Sequence, residues 1–236
     1  MRKTMPSTAF RWFGLLLTLS VASQTYAQDT KTPYPNMAPL DQYLMERNAE
    51  INLARSAAPP SISKDAEVMV LGKQGYEIVD HGTNGFVCMV QRSWTAPSDD
   101  PDFWNPKLRG PSCFNAAAAK SYLPLILKKT DLILGGRSKS QMFSAIAAAI
   151  ESKELSGTAP DAMCYMMSKQ QYLGDAGKQW HPHLMFFVPP TDAAVWGGNF
   201  EGSPVIAAND EADRLTIFMV PVRRWSDGTF DLPEAH

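Results

Sequence analysis

The chain has 236 residues, of which 44% are hydrophobic and 19% charged, and a formal net charge of −2. That balance excludes a collagenous or wholly disordered chain. Without a basic excess it also argues against a general nucleic-acid binder, because phosphate neutralisation needs clustered Lys and Arg. The length suits one domain, or two small ones at most.

The first element in chain order reads as an export signal. Arg2 and Lys3 form a positive start, and the stretch from Phe10 to Ala22 is apolar apart from Arg11 and a few small polar residues. Thr25-Tyr26-Ala27 then offers a small-residue cleavage site. The apolar run of about a dozen residues is shorter than the roughly 20 needed to span a bilayer. Residues 1–27 are therefore expected to be a signal peptide. Their removal takes away Arg2, Lys3 and Arg11 and no acid, leaving 19 basic and 24 acidic residues and a net charge of −5. Such a chain is expected in the periplasm or outside the cell, with no membrane span after cleavage. Its expected partner is a small molecule or an envelope component, not a nucleic acid.

Residues 28–39, with Pro33, Pro35 and Pro39, are expected to form a flexible leader, and residues 40–236 a single domain. Apolar spacing predicts an amphipathic helix from Leu40 to Ala57, ended by Pro59-Pro60. Strands are predicted over 66–71, 76–80 and 86–92, with Asn84-Gly85 as a tight-turn signal and an antiparallel meander as the simplest arrangement. Residues 93–113 read as a long irregular loop. Asn115 should cap a helix running to about Leu134, interrupted at Pro124 and stopped by Gly135-Gly136. Ser138 and Gln141 resemble a capping box that opens a second helix to about Lys153. The C-terminal third reads as strands over 162–167, 183–188, 205–208 and 214–222, with a short helix between Asp192 and Gly197. Strands, then helices, then strands predict an α+β fold: a mainly antiparallel sheet with helices packed on one face.

Three cysteines read differently in an oxidising compartment. Cys88 and Cys113 flank the irregular loop and are the natural disulfide pair, expected to staple it. Cys164, in an apolar run, reads as a buried thiol. Nucleophile-elbow, phosphate-loop and dinucleotide motifs are missing. Ser61-Ile62-Ser63-Lys64 has the S-x-x-K spacing without its companion elements.

The most suggestive chemistry is His181-Pro182-His183 at a strand entrance. Residues two apart on a strand share a face, so both imidazoles are placed to meet one divalent metal or one substrate. No cofactor is otherwise indicated. Two roles follow. His183, with Asn84, Tyr165, His181 and a loop aromatic such as Trp104, would line a ligand pocket. Alternatively, His183 would act as the general base, or His181 and His183 as metal ligands, of an envelope hydrolase. The loop aromatics Trp94, Phe103, Trp104, Trp180, Trp196, Phe200 and Trp225 suit either a stacking platform or a small core pinning the loops.

Gly82-Thr83-Asn84-Gly85-Phe86-Val87-Cys88 resembles the G-T-N-G-[FW]-x-C pattern of a family of uncharacterised exported bacterial proteins. Asp100-Pro101, Cys113, Tyr165-Met166, Pro182-His183-Leu184-Met185 and Met219-Val220-Pro221-Val222 continue the resemblance over about residues 45–236. Family members often carry Gly at the position of His181, whereas His183 fits the pattern. The resemblance implies export and overall build, and no reaction.

Overall fold

The computed structural model describes Met1 and residues 33–231; residues 2–27 of the expected signal peptide and residues 28–32 of the leader lie outside them. The rest of the expected leader is packed. Met37 and Ala38 lie against a core of Tyr43, Leu71, Trp94, Phe103, Ile133 and Met142, and the Ala38 amide donates to the Tyr43 hydroxyl.

The helix expected over 40–57 divides in two. Leu40–Gln42 forms a 3-10 turn, and α1 spans Arg47–Arg55. Glu46 makes the break, because its carboxylate caps α1 by accepting from the Asn48 and Ala49 amides. Pro60 does not end a helix but starts one, α2 (Pro60–Ser63), where a first-turn proline loses no hydrogen bond.

Among the described residues the sheet has eight strands: β1 (Glu67–Gly72), β2 (Gly75–Asp80), β3 (Val87–Gln91), β4 (Gly110–Phe114), β5 (Met163–Met166), β6 (His183–Val188), β7 (Ile206–Asp210) and β8 (Leu215–Pro221). Their order across the sheet is β2-β1-β3-β4-β5-β6-β8-β7. All neighbours are antiparallel except β1 and β3, which run parallel. The first three strands are therefore not the simple meander expected. The link after β2 passes beneath the start of β1, with Thr83 and Asn84 amides donating to the Asp65 carbonyl. Gly82 permits this crossing, since a Cβ there would stand 2.0 Å from the Glu67 nitrogen.

β4 lies within the segment expected to be loop. Pro111 hides it, because proline cannot donate to a ladder. Here Pro111 faces Val90 of β3, while β5 pairs only with Cys113 and Phe114, so no bond on that side is lost. Cys88 and Cys113 are direct cross-strand partners and form the disulfide, with Cα atoms 4.0 Å apart. The bridge joins two strands within the sheet; it does not pin the loop to the sheet.

The helical segment runs as predicted. α3 spans Ala116–Ser121, α4 spans Leu123–Leu134 with Pro124 in its first turn, and α5 spans Lys139–Glu151 behind the Ser138–Gln141 capping box. These three helices cover one face of the sheet through Met69, Met89, Phe114, Cys164, Phe187 and Ile217. The fold is α+β, as the element order predicts. α1 adds a layer on the opposite face, over Val68, Cys88, Val90 and Cys113 only. On that face no α-helix among the described residues lies over β6 and β8; the 3-10 turn Ala193–Trp196 sets only Trp196 against Phe186 and Phe218.

The loop aromatics divide between the two roles. Trp94, Phe103 and Trp225 are buried and pin loops. Trp196 (40% exposed) and Phe200 (60%) remain on the surface. The outer edge of β7 is closed by Asn199, whose side chain both accepts from the Ala207 amide and donates to the Ala207 carbonyl. An edge capped in this way does not recruit another strand there.

Two ion pairs lie in the interior. Arg92 pairs with Glu50 at 2.9 Å, and Lys129 pairs with Asp213, all four residues being at most 4% exposed.

Candidate functional site: a groove on the open sheet face

Strand alternation decides which of the expected site residues can meet. In β6, Met185 and Phe187 face α3–α5, so His183 faces that side too. Tyr165 and its register partner Leu184 face the other side. His183 and Tyr165 therefore lie on opposite faces of the sheet and do not share a pocket, contrary to expectation.

His183 is 2% exposed. Its Nδ1 lies 2.7 Å from the His181 carbonyl oxygen, which can only accept, so Nδ1 carries the proton and the ring is the Nδ1–H tautomer. The Trp180 ring meets it edge-on at 4.5 Å. Burial holds the imidazole neutral, with its pKa lowered to about 4. Among the described residues, no carboxylate or nucleophile is hydrogen-bonded to it. His181 points elsewhere: it is exposed and its Nδ1 lies 2.6 Å from Asp231. The two imidazoles thus do not converge, because residue 181 precedes the strand and does not follow its alternation. Among the described residues, no three His, Cys, Asp or Glu side chains gather as a metal centre would require.

Asn84 and Trp104 also lie apart from these residues. Asn84 is a turn brace, donating to the Ile62 carbonyl and accepting from the Phe86 amide. Trp104 packs edge-on to Phe103 at 4.8 Å and borders a cleft of about 860 Å³ beside the start of α5. A third cleft, of about 610 Å³, lies at the β7–β8 turn and is lined mainly by polar and charged side chains such as Asp192, Glu211 and Arg214.

Tyr165 is the one expected residue that lines a groove built on strands. The groove encloses about 560 Å³, within the usual range for ligand pockets. Tyr165 and Leu184 form its floor, with Met167, Val222 and Pro59 as walls. Its rim is the hairpin 223–231, carrying Arg223, Arg224 and Phe230. That rim is firmly held. The Val222 amide donates to the Pro182 carbonyl, Ser226 to Met167, and Asp231 to Arg223. The Arg224 guanidinium lies 3.8 Å above the Phe230 ring and donates to the Gly228 carbonyl. Neither Arg223 nor Arg224 has a carboxylate partner among the described residues. The only acid on the hairpin's return strand, Asp231, is turned toward His181.

Sequence reading missed the arginines because their role depends on the hairpin turning Phe230 back beside Arg224. The chain 223–231 has no strong apolar pattern, and only the Asp227-Gly228 turn signal hints at it. No protein-family model, curated protein or solved structure matches the chain.

The buried His183 and Asp213 have opposite effects on stability. Burial raises the Asp213 carboxyl to about 6, against 3.8 ordinarily. Between those values the folded protein holds more protons than the unfolded chain, so this group's contribution falls as pH rises from about 4 to 6. His183 is neutral in the folded state down to about pH 4 but protonates near 6.5 when unfolded. Its contribution is present above 6.5 and is lost as pH falls toward 4. Each shift corresponds to about 3 kcal/mol over its window, so the two largely cancel. Urea melts from pH 4 to 6.5 should show this as a difference from wild type. His183→Gln should grow less stable, relative to wild type, as pH rises through this window; Asp213→Asn should show the reverse. Equal slopes in the two variants would contradict the assignment.

Proposed function

We propose that the protein is an exported module that binds a small ligand in the groove on the open sheet face. The observation that carries this reading is the groove itself: an apolar floor on rigid strands beneath a rim that is hydrogen-bonded in place. Sites on strands are held more closely than sites on loops, and preorganisation lowers the cost of binding. Export is supported by the N-terminal pattern, by the Cys88–Cys113 bridge, and by the resemblance to exported bacterial proteins. Among the described residues, no helix is long and apolar enough to cross a membrane. The hydrolase alternative draws no support from His183, which is buried away from the groove, with no acid or nucleophile bonded to it among the described residues.

The test begins with the full chain expressed in a bacterium and recovered from the periplasm, where its mass should place Gln28 first. Neutral probes, 1-hexanol and benzyl alcohol, are then titrated while backbone amide resonances are followed. Shifts should concentrate at Tyr165, Leu184 and Val222 and vanish in Leu184→Asp. Retention of Met1, or shifts confined to the Trp104 cleft or the β7–β8 turn, would overturn the proposal.

A further inference from the structure

The charge and shape of the groove specify the ligand class further, an inference that rests on the binding reading above. Four of its lining side chains, Pro59, Met167, Leu184 and Val222, are aliphatic or thioether in character. The floor also does not stop at the groove. Leu184 pairs with Val220 and Phe186 with Phe218, so these residues continue the same face of β6 and β8. Leu184, Phe186 and Val220 are only half-buried. Trp196 closes the far end, stacked on Phe218 at 4.4 Å and 5.6 Å from Phe186. A half-open apolar strip therefore leads from the groove to Trp196. A compact ligand would leave it uncovered, whereas a flexible chain can follow it.

Charge sets the other end. Arg223 and Arg224 are exposed side by side at the rim, in a protein whose net charge is negative. Arg224 is held over the Phe230 ring and bonded to the Gly228 carbonyl, which positions the guanidinium before any ligand arrives. A guanidinium fork matches a carboxylate in two-point geometry. We infer that the groove and strip bind a single-chain carboxylate amphiphile, a free fatty acid, with its head at Arg223 and Arg224 and its tail running along Leu184 and Val220 toward Phe186. A cationic amphiphile would meet two like charges, and a short acid would leave the strip dry.

Calorimetric titration of the exported protein with sodium dodecanoate, below its micelle concentration, tests this. Dodecyltrimethylammonium supplies the same tail with the opposite head, and acetate the same head without a tail. Dodecanoate should bind at one site per chain, at least ten-fold more tightly than either control. Replacing both arginines, Arg223→Gln with Arg224→Gln, should weaken it about ten- to a hundred-fold, as expected for loss of charge-assisted hydrogen bonds. Because both side chains are exposed and the Arg224 contacts are confined to the hairpin, the urea midpoint should move little. Phe186→Asp should weaken dodecanoate while leaving 1-hexanol at the groove unaffected. Equal affinity for the cationic amphiphile, or an unchanged affinity in the double arginine variant, would overturn the carboxylate assignment while hexanol binding still upheld the groove. Binding to phosphatidylglycerol vesicles without binding to monomeric dodecanoate would overturn it as well, and would mark this face as a membrane contact.

Discussion

Arg92→Met is expected to destabilise the protein by about 3–5 kcal/mol, the usual cost of leaving one member of a buried ion pair alone. Arg92 is fully buried and uses three donors: Nε to the Tyr43 carbonyl, Nη1 to the Val90 carbonyl, and Nη2 to Glu50. Glu50 in turn accepts from the Leu71 amide at 3.1 Å. One guanidinium therefore ties α1, the Tyr43 turn, β1 and β3 together. Its loss strands the Glu50 carboxylate and the Tyr43 carbonyl without water, while the Val90 carbonyl keeps the Tyr76 hydroxyl as a donor. The neighbouring Arg109 cannot substitute, because its guanidinium is committed to the Pro106, Leu108 and Gln42 carbonyls. Glu50→Leu in the Arg92→Met background should recover part of the loss by removing the orphaned charge. Recovery will be incomplete, since the Leu71 amide then lacks its acceptor. Urea denaturation of the two single variants and the double measures the coupling. A single-variant loss under 1 kcal/mol would show that the pair is not the tie described.

How far the sequence revealed this arrangement depends on which kind of signal carried each part. Local signals were reliable. The capping box at Ser138 and the Asn115 cap placed helix starts, and the strands expected over 183–188 and 214–222 lie within a residue of β6 and β8. Cys spacing identified the bridge once export was assumed. Signals that depend on what lies opposite were not legible. Pro111 disguised a strand because its tolerance rests on β5 stopping short. The His181–His183 pair suggested convergence, yet that inference assumed the strand begins before residue 183. Asn84, Tyr165, His181 and Trp104 were each plausible ligands singly, but only Tyr165 reaches the groove, because face and sheet order are tertiary facts. Arg92 and Lys129 gave no warning of burial, since buried cations are recognised only through partners 42 and 84 residues away.

Removing the disulfide is expected to have an effect of similar size by a different route. With 25 residues between the cysteines, the bridge should contribute roughly 3.5 kcal/mol in the chain-entropy account. Cys88→Ala with Cys113→Ala should therefore lose about 3–5 kcal/mol, including the packing lost beneath α1 where both are fully buried. Because the bridge constrains the unfolded chain, the urea slope should rise as more surface is exposed on unfolding. The folded state should change little. β3 and β4 are already in register over five pairs, and the excursion between them is held by its own contacts. Trp94 donates to Thr130 of α4, and Asn105 is buried and donates to Asp102. Amide exchange over residues 95–109 should therefore follow global unfolding in the variant, with no new local opening. Selective loss of protection in that segment would mean that the bridge does hold the excursion in place. Unchanged stability would mean that it constrains neither state. Cys164 offers an internal control: burial pushes its thiol pKa up, so it should resist alkylation in both proteins until they unfold.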